Sequence, residues 1–572
     1  MRRIIGLSLV LVLVSGMAYG TDYTWTGGAV TVQYDCTSVW NGGAGGFPST
    51  SADCLTIPNA VVGRCNFPTG SYTLGGIRLD NGVLATSAAV VTFRMVDTSG
   101  TGGPSGDFLI LGNGRYNARD GGAAAGTSDL IDADGDVKIV SLAGGSGYEG
   151  DSFSVTMRGV GKVFAMRTYD GGVMPTFTVF SGASVSYSTE LGGTGTEARM
   201  RNLVVNGTIT GGTWRIDSSG AVTLGPGGAF TGGTATAGLE SATTLRTFKF
   251  GGGTYYDLKP EIAAYFNGIT GTDQLRAYRA MGNLNVTHDF GILAYSGNSR
   301  ESQNVFDTDN GTGSYADMTV GRNFQMGAQS TATFTTNYRG FKANSSTIDI
   351  RGDAAFDQWA YIDGGTSTWK FGGNVRFRKD SGAILGFRFD CTTMEGATVH
   401  LDGAGAQRVG FSSLLSLGNV VIKKTAGGIT MLDNALIKGN FVVDPSTSMP
   451  SGYDDNGFYL IFKGGIDCET LAQQIDALGT DLQKVHVMAG SSTFVKLLSD
   501  LTVSDNLDID TGCKLFLNGF TLNAEGQTIT STTPWDQGEI VGAGAIPEPA
   551  TWLLLGTGAL GSLGWMRRRR MQ

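Results

Sequence analysis

Two short acidic segments have the oxygen-rich spacing that a hard cation requires. One reads DADGD and the other DTDNG, and both contain a glycine beside the carboxylates. Carboxylate and amide oxygens in such turns are ligands that Ca²⁺ accepts. Neither segment has the EF-hand register, because the glycine comes too early and the closing glutamate is missing, so solvated turns are the stronger interpretation. The weaker, calcium interpretation rests on Asp132, Asp134, Asp136, Asp307 and Asp309.

Local motifs of common enzymes are absent from the sequence. It contains no GxSxG, HExxH or GxxxxGK[ST] segment, so the usual signatures of serine hydrolases, zinc proteases and nucleotide-binding proteins are missing. Its three histidines, His288, His400 and His486, are scattered, and no CxxC pair offers metal-ligand spacing. We therefore predict no catalytic residue and no metal ligand beyond the calcium candidates, and we interpret each histidine as a surface or turn residue.

A third acidic segment, TIDIRGDAAFD, begins at Thr347 and alternates apolar with polar residues. Polysaccharide-cleaving enzymes built from stacked coils assemble their acids from neighbouring coils, so Asp349, Asp353 and Asp357 could converge without a local motif. Most acids on such a surface stay solvated, and the base rate favours no catalysis. The tripeptide Arg351-Gly352-Asp353 lies in the same strand-like segment, and we assign it no function.

The elements that must position these residues are short strands. In LTVSDNLDIDTGCKLFLNGFTLNAEG, pairs such as Leu501/Val503 and Leu515/Leu517 alternate with polar residues and are separated by Asp, Asn and Gly turns. Similar units, among them NLVVNG from Asn202 and GNVVIKK from Gly418, recur at irregular spacing. This pattern is typical of the coils of a parallel β-helix, in which alternate side chains stack inward and Gly or Asn turns the corner.

Composition and length favour the same fold. Glycine supplies 90 of the 572 residues and charged residues only 16%, and a body of this length suits a repeat fold in which each layer contacts only its neighbours. We predict an all-β protein whose body, residues 21–545, is an elongated parallel β-helix, or β-solenoid. A chain of β-sandwiches remains the alternative, since alternation and turns also suit sandwiches.

Two segments have helical spacing and are predicted to be short helical insertions. DCETLAQQIDALG places Leu471, Ile475 and Leu478 on one helical face, with Asp467 as a possible cap. KPEIAAYFNG offers Pro260 at a first helical position.

The six cysteines of the sequence allow fifteen disulfide pairings, and the sequence alone does not choose among them. Cys36, Cys54 and Cys65 lie close together near the amino terminus, whereas the other cysteines are scattered. A disulfide between two of these three would cap the first coils.

The amino terminus has the composition of a secretory signal peptide. Two arginines precede an apolar run from Ile4 to Val14, and small residues follow at Ala18 and Gly20, the two positions that signal peptidase reads. Residues 1–20 are therefore predicted to be removed by signal peptidase. The protein is expected to be exported.

The carboxyl terminus combines a Pro-Glu-Pro segment, an uncharged apolar stretch over residues 550–566 and four arginines. The stretch is just long enough for a transmembrane helix, and the basic cluster stays cytoplasmic and stops translocation. The two prolines keep the chain extended and display the glutamate just outside the bilayer. The residues concerned are Pro547, Glu548, Pro549, Arg567, Arg568, Arg569 and Arg570.

In content and order, residues 546–572 resemble the PEP-CTERM sorting signal. The resemblance implies that a membrane-embedded exosortase recognises the Pro-Glu-Pro segment, removes the tail and sends the body to the cell surface or the extracellular space. It further implies an intermediate tethered to the inner membrane, and exopolysaccharide as an associated partner. In the body, the segment ATVHLDGAGAQRVGF from Ala397 resembles β-helical passages of bacterial surface adhesins and autotransporter-like passenger domains.

Three functions are compatible with these features. The leading hypothesis is a structural or adhesive protein of the cell surface or extracellular matrix, without enzymatic activity. The alternatives are a β-helix polysaccharide lyase or glycoside hydrolase, and a carbohydrate-binding surface protein without catalysis. A net charge of −9 argues against nucleic acid as a partner, since nucleic acid requires a positive field. We predict that the protein needs no cofactor, with calcium as the weaker alternative.

Overall fold

A computed structural model describes four short strands at residues 22–25, 34–35, 40–41 and 540–541, and most of residues 53–530. Both the predicted signal peptide and the predicted sorting signal lie outside the described residues. Within 53–530, the residues not described are 58–63, 68–69, 81, 87–90, 102–104, 113, 119–128, 141–147, 151–152, 167–173, 189–196, 238–241, 262–273, 295–301, 329–337, 357–359, 378–393, 412–414, 450, 465–470, 489–492, 511 and 525–526.

The chain divides into two compact units. The first comprises residues 1–240 and 246–260, and the second comprises residues 241–245 and 261–572. A short 3-10 turn, Ser99–Thr101, interrupts the strands of the first unit.

The strands up to the end of the first unit, numbered in chain order, are β1 Asp22–Trp25, β2 Tyr34–Asp35, β3 Trp40–Asn41, β4 Cys54–Ile57, β5 Arg64–Phe67, β6 Gly70–Leu74, β7 Gly76–Leu79, β8 Val83–Thr86, β9 Val91–Met95, β10 Phe108–Ile110, β11 Arg115–Ala118, β12 Asp129–Ala133, β13 Val137–Ile139, β14 Tyr148–Gly150, β15 Phe153–Met157, β16 Lys162–Met166, β17 Met174–Val179, β18 Ser184–Tyr187, β19 Ala198–Val205, β20 Thr208–Gly211, β21 Thr213–Leu224, β22 Ala229–Phe230, β23 Thr234–Ala237, β24 Ala242–Phe250, β25 Gly253–Tyr255 and β26 Asp257–Glu261.

The strands that follow are β27 Gln274–Ala280, β28 Leu284–Val286, β29 Phe290–Ala294, β30 Ser302–Asp307, β31 Met318–Val320, β32 Phe324–Ala328, β33 Tyr338–Lys342, β34 Thr347–Ile350, β35 Ala354–Phe356, β36 Ala360–Asp363, β37 Thr368–Phe371, β38 Val375–Phe377, β39 Met394–Gly403, β40 Gln407–Gly410, β41 Ser416–Lys424, β42 Ile429–Met431, β43 Ala435–Ile437, β44 Phe441–Val443, β45 Tyr453–Asp454, β46 Leu460–Phe462, β47 Gln473–Asp476, β48 Lys484–Val487, β49 Phe494–Leu497, β50 Leu501–Val503, β51 Asn506–Ile509, β52 Lys514–Phe516, β53 Thr521–Ala524, β54 Gln527–Thr530 and β55 Ile540–Val541.

In the first unit, consecutive strands belong to different sheets, and each strand pairs with the equivalent strand of the next coil. Strands β4, β5 and β6 pair in parallel with β7, β8 and β9 respectively. The same assignment continues through β10, β11 and β12. From β16 to β23 two strands alternate, because β16 pairs with β18 and β17 with β19, and three alternate again where β22 pairs with β25 and β23 with β26. Parallel pairing between successive coils defines a β-solenoid.

The second unit has the same construction. Strands β30, β31 and β32 pair in parallel with β33, β34 and β35, and these pair with β36, β37 and β38. The predicted parallel β-helix is therefore confirmed. The β-sandwich alternative is wrong for the described residues, since sandwich sheets are antiparallel and the antiparallel ladders described here are the short pairs β1–β3 and β53–β54.

Alternation along each strand places the core inside the coils. In β37 the buried residues Trp369 and Phe371 alternate with half-buried residues. Equivalent side chains of successive coils then stack, as Phe290 does on Phe324 with ring centroids 4.9 Å apart. Aromatic pairs at this separation contribute about 0.5–1.5 kcal/mol beyond the burial of their area.

Side-chain oxygens of Asn and Asp connect the corners of successive coils. Asp353 Oδ1 accepts the backbone N–H of Asn374 at 2.8 Å, and Asn374 Oδ1 accepts that of Arg408 at 2.9 Å. We call these repeated bonds the Asx ladder. It recurs at Asn419 and Asn440 in the second unit. The ladder explains the recurring Gly-Asn corners of the sequence.

Coil length varies more than the sequence suggests. Bonds of the Asx ladder join residues 21 positions apart at Asp353 and 34 positions apart at Asn374. In the first unit, the bond from Asp136 N–H to Asp107 spans 29 residues. Corners therefore accept insertions without disturbing the register of the strands.

The described part of each predicted helical insertion contains a strand, and the predicted cap Asp467 lies outside the described residues. Residues 473–476 form β47, which pairs in parallel with β44 and β49. Ile475 is buried as predicted, but Leu471 and Leu478 lie outside strand β47 and are 57% and 46% exposed. Pro260 lies in strand β26, and the rest of that predicted helix lies outside the described residues. No helix of the described part has the length and apolarity to cross a membrane.

Candidate functional site

A set of charged side chains in the second unit lies on the outer face of β34, β37, β39 and β41 and at the end of β44. Strand register places Asp349 beside Lys370, and Lys370 beside His400. Neighbouring strands are about 4.8 Å apart, so these side chains form one row. We call this row and the next, which follows two residues further along each strand, the His400 face. Its members are Asp349, Lys370, His400, Asp402, Lys423 and Asp444.

The second row holds an alternating set of charges. Asp402 pairs in register with Lys423, and Lys423 Nζ lies 3.6 Å from Asp444 Oδ2. The carboxylate of Asp444 also accepts hydrogen bonds from the backbone N–H of Ser446 at 2.8 Å and from its hydroxyl. These bonds lower the pKa of Asp444. The edge of the face is therefore firmly anionic and fixed in place.

The middle of the face is electrostatically different. His400 is half-buried, and this burial lowers its pKa. Burial also raises the pKa of the Asp402 carboxyl, and the nearby charge of Asp349 raises it further. With its pKa lowered, His400 has the character of a general base, and Asp402, with its pKa raised, has that of a general acid.

Lys424 lies behind the face with its side chain fully buried. Its Nζ donates to the carbonyl of Gly405 at 2.8 Å and to Gln407 Oε1 at 3.3 Å. Burial lowers the pKa of Lys424. The amine fixes the corner between β39 and β40, which follows Asp402 in the chain.

A second polar cluster in this unit surrounds His486. The Nε2 of His486 lies 2.9 Å from Asp510 Oδ1, and its ring meets that of Tyr459 edge-on at 6.0 Å. Lys484 Nζ lies 3.1 Å from Asp505 Oδ2, and this contact raises the pKa of Lys484. Each ionisable group here has a charged or aromatic partner, which is the arrangement of a stabilised surface.

In the first unit, the three aspartates of DADGD point to different partners. Asp132 accepts from Arg158 Nε at 2.6 Å, Asp134 accepts from Arg94 Nη2 at 2.6 Å, and Asp136 accepts the backbone N–H of Val163 at 2.9 Å. The bond from Asp132 raises the pKa of Arg158. Two of these carboxylates neutralise arginines, and the third belongs to the Asx ladder.

In DTDNG the acidic side chains close their own turn. Asp307 Oδ1 accepts the N–H of Asp309 at 2.9 Å and the side-chain amide of Asn344 at 2.9 Å. Asp309 Oδ1 accepts the N–H groups of Gly311 and Gly313 at 2.8 and 3.2 Å. This geometry is that of an Asx turn.

The three acids of TIDIRGDAAFD are not brought to one place. Asp349 belongs to the His400 face, whereas Asp353 belongs to the Asx ladder and Asp357 lies outside the described residues. The tripeptide around Gly352 is a corner of the coil. A Cβ on Gly352 would lie 1.8 Å from the carbonyl oxygen of Arg322, so close packing explains the glycine.

The histidines and cysteines occupy different environments. All three histidines are half-buried, and His288 Nδ1 lies 3.6 Å from Asp289 Oδ2. Cys513 is a buried thiol that forms no disulfide. Cys36 and the side chain of Cys65 lie outside the described residues, so the amino-terminal disulfide stays a prediction.

Sequence reasoning missed the His400 face. The signal that could have revealed it is the segment TVHLDG, because alternation along a strand places His400 and Asp402 on the same side. The contribution of Asp349 depends on register between coils and leaves no local signal.

The described fold defines the body of this chain as a parallel β-solenoid. Residues 545–570 match the PEP-CTERM protein-sorting motif. The chain therefore carries a PEP-CTERM sorting motif, which makes it an exosortase substrate exported to the cell envelope and surface. No curated protein and no solved structure matches the chain.

Proposed function

We propose that this protein is a structural or adhesive component of the cell surface or extracellular matrix, released from an inner-membrane intermediate by exosortase. The observation that carries the proposal is the sorting motif at residues 545–570. It supports a sequence of steps in which signal peptidase removes residues 1–20, the apolar stretch holds the chain in the membrane, and cleavage near Pro547, Glu548 and Pro549 frees the body.

The construction of the body supports a passive role. Many of its polar side chains bond to the next coil, as the Asx ladder does, and its acidic candidates are occupied by arginines or backbone N–H groups. Repeated coils offer a large and regular surface without requiring a cleft. Such a body suits mechanical or adhesive work outside the cell.

Processing is tested in the native host by replacing Pro547, Glu548 and Pro549 with alanine. Loss of the exosortase recognition site leaves the arginine-bearing tail attached, which mass spectrometry of the carboxyl-terminal peptide detects. A matched control replaces Pro534 and Glu539, which lie upstream of the motif, and keeps normal processing. Normal removal of the tail from the triple variant contradicts the proposal.

The surface role requires a separate test. A deletion strain is compared with strains that express either the native chain or the triple variant, and cohesion of the extracellular matrix and attachment to surfaces are measured. Deletion weakens one of these properties, the native chain restores it and the triple variant does not. Unchanged cohesion and attachment in the deletion strain contradict a structural or adhesive function.

Polysaccharide cleavage is the second candidate, and the opposed pKa shifts of His400 and Asp402 favour it. We expect no turnover when the protein secreted by its host is screened on pectic, alginate and sulfated polysaccharides, with and without calcium. If the native protein cleaves a polysaccharide and both His400→Ala and Asp402→Asn lose this activity, the enzymatic function is supported and the structural proposal is contradicted. Lys438→Ala serves as the surface control.

A further inference from the structure

A surface groove of about 500 Å³ lies in the second unit, on the outer side of β38, β40 and the corner after β42. Its walls include the guanidinium-bearing residues Arg376 and Arg408. Phe377 and Leu432 supply apolar surface, and Asp433 lies at the rim. A volume of this size is within the range of pockets that bind small molecules.

A missing side chain forms the groove. In the register between β38 and β40, Arg376 lies beside Gly410. A Cβ on Gly410 would approach the Cβ of Leu432 to 3.2 Å, so the glycine leaves a notch between the arginine on one side and the leucine on the other. Sheet register between coils, rather than a local motif, creates this notch.

The two guanidinium groups differ from most other described arginines of the protein. Both side chains are exposed, and neither has a carboxylate partner among the residues that the structure describes. By contrast, Arg322 forms two bonds to Asp289, at 2.8 and 2.7 Å. In a chain with a net charge of −9, two adjacent unneutralised cations favour an anion from outside.

A backbone bond places the strand that carries Arg408. The N–H of Arg408 donates to Asn374 Oδ1 at 2.9 Å as part of the Asx ladder. Asp433 does not neutralise the pair, since no bond joins it to either guanidinium among the described residues and its Oδ1 accepts the N–H of Asn434 at 2.8 Å. The groove therefore presents a cationic wall and an apolar wall.

We propose that this groove binds one carboxylated sugar residue of an anionic polysaccharide. The planar guanidinium groups match a carboxylate through paired, charge-assisted hydrogen bonds. The opposite wall, with Leu432, suits the C–H face of a sugar ring. This inference concerns only the body and does not depend on exosortase processing.

The test measures binding by isothermal titration calorimetry, using the processed protein secreted by its host and trigalacturonate as the probe. Maltotriose is the neutral probe of equal length, and a sulfated trisaccharide is the anionic probe without carboxylates. The variant Arg376→Gln/Arg408→Gln removes both cations from the groove. The variant Arg351→Gln/Lys438→Gln removes the same total charge from exposed side chains outside it.

Trigalacturonate is expected to bind, and added salt to weaken the binding, because the contact is ionic. The groove variant should bind at least about 10-fold more weakly, as expected for the loss of charge-assisted bonds, while the control variant stays within about 2-fold of the native protein. Leu432→Glu, which adds a negative charge to the apolar wall, should also abolish binding. Thermal melting checks that the variants are folded.

Two results overturn the proposal. One concerns trigalacturonate: either the groove variant binds it as tightly as the native protein does, or the native protein does not bind it. The other is equal or tighter binding of maltotriose or the sulfated trisaccharide, which removes the preference for a carboxylate.

Discussion

Gln407 and Gln473 make the same pair of hydrogen bonds to an earlier coil. The side-chain amide of each donates to carbonyl groups 36 and 34 residues before it, at 2.8 and 2.5 Å from Gln407 and at 3.0 and 2.5 Å from Gln473. Both glutamines are almost fully buried. Each follows an alanine, and each reaches back to a corner that contains Gly-Asn.

These glutamines therefore give the corner carbonyl groups a side-chain donor, and the carbonyl of Ile437 also accepts the backbone N–H of Lys463 at 3.0 Å. The Oε1 of Gln473 also accepts the N–H of Gly464 at 3.0 Å, so one side chain satisfies three backbone groups. A buried polar group without a partner costs about 1–3 kcal/mol. The repeat preserves both the bond and the spacing that makes it possible.

Replacing Gln473 by alanine is expected to destabilise its coil by about 1–3 kcal/mol, because buried backbone groups lose their partner. Hydrogen exchange of peptides over residues 460–476 should become faster, most clearly at Gly464. Gln474→Ala is the matched control, since its side chain lies on the other face of β47. Equal exchange rates in the two variants would show that the amide of Gln473 contributes no stability.

Gly352 is predicted to tolerate no side chain. A Cβ there would lie 1.8 Å from the carbonyl oxygen of Arg322, so Gly352→Ala should force the two coils apart and cost about 1–3 kcal/mol. Gly405→Ala is the control, because a Cβ there meets no atom within 4 Å, and such surface changes usually stay within about 0.5 kcal/mol. Urea denaturation followed by far-ultraviolet circular dichroism compares the two. Equal midpoints would contradict the packing argument.

Alternation predicted the fold because it is a local property of each strand. Leu501 and Val503 were assigned to the interior from sequence, and both are fully buried in β50. The glycines and asparagines between strands also predicted the corners of the coils, and the asparagines form the Asx ladder there. Parallel pairing followed from the short, repeated units.

The failed helix prediction shows where local reasoning ends. Residues 471–479 have apolar side chains at helical spacing, yet Ile475 pairs with Phe441 of one coil and Leu497 of another. Two flanking strands outweigh a weak local preference, because each supplies a full ladder of hydrogen bonds. Leu478 then occupies a turn with a positive φ of 50°.

The candidate sites were beyond prediction for a related reason. The His400 face and the arginine groove both depend on register between strands separated by loops of variable length. The bond from Arg408 to Asn374 spans 34 residues, and that from Asn374 to Asp353 spans 21. A sequence without aligned repeats does not specify which residues become neighbours.

Calcium is predicted to leave the stability of the first unit unchanged. The carboxylates of Asp132 and Asp134 are bonded to arginines at 2.6 Å, and a cation would have to displace those guanidinium groups. The melting temperature should therefore be the same in excess EDTA and in Ca²⁺ at about 100 times a micromolar Kd. An ion bound with that Kd would instead add about 2.7 kcal/mol of stability. A higher melting temperature in calcium that Asp134→Asn removes would restore the calcium interpretation.

Acidification below neutral pH is predicted to weaken the second unit through His400. Burial lowers the pKa of His400 below its ordinary value of 6.5. Between these two pKa values the unfolded chain binds more protons than the folded chain, so stability rises with pH across this window; it begins to fall as the pH drops through 6.5, and the loss is complete below the folded-state value. The charges of Lys370 and Lys423 act in the same direction, whereas those of Asp402 and Asp444 oppose it.

The measurement is urea denaturation of the native protein and of His400→Gln between pH 7.5 and pH 4, as about twelve closely spaced conditions that resolve the slope. The variant should lose less stability than the native protein as the pH falls below 6.5, since it has no imidazole to protonate. The variant Asp402→Asn separates the ionisation of Asp402 from that of His400. Burial raises the pKa of Asp402 above 3.8, so at lower pH the folded chain binds more protons than the unfolded chain. The contribution of Asp402 to stability therefore has the opposite sign to that of His400. Parallel curves for the native protein and His400→Gln would mean that the imidazole meets the same environment in the folded and unfolded chains, which contradicts its place between Lys370 and Asp402.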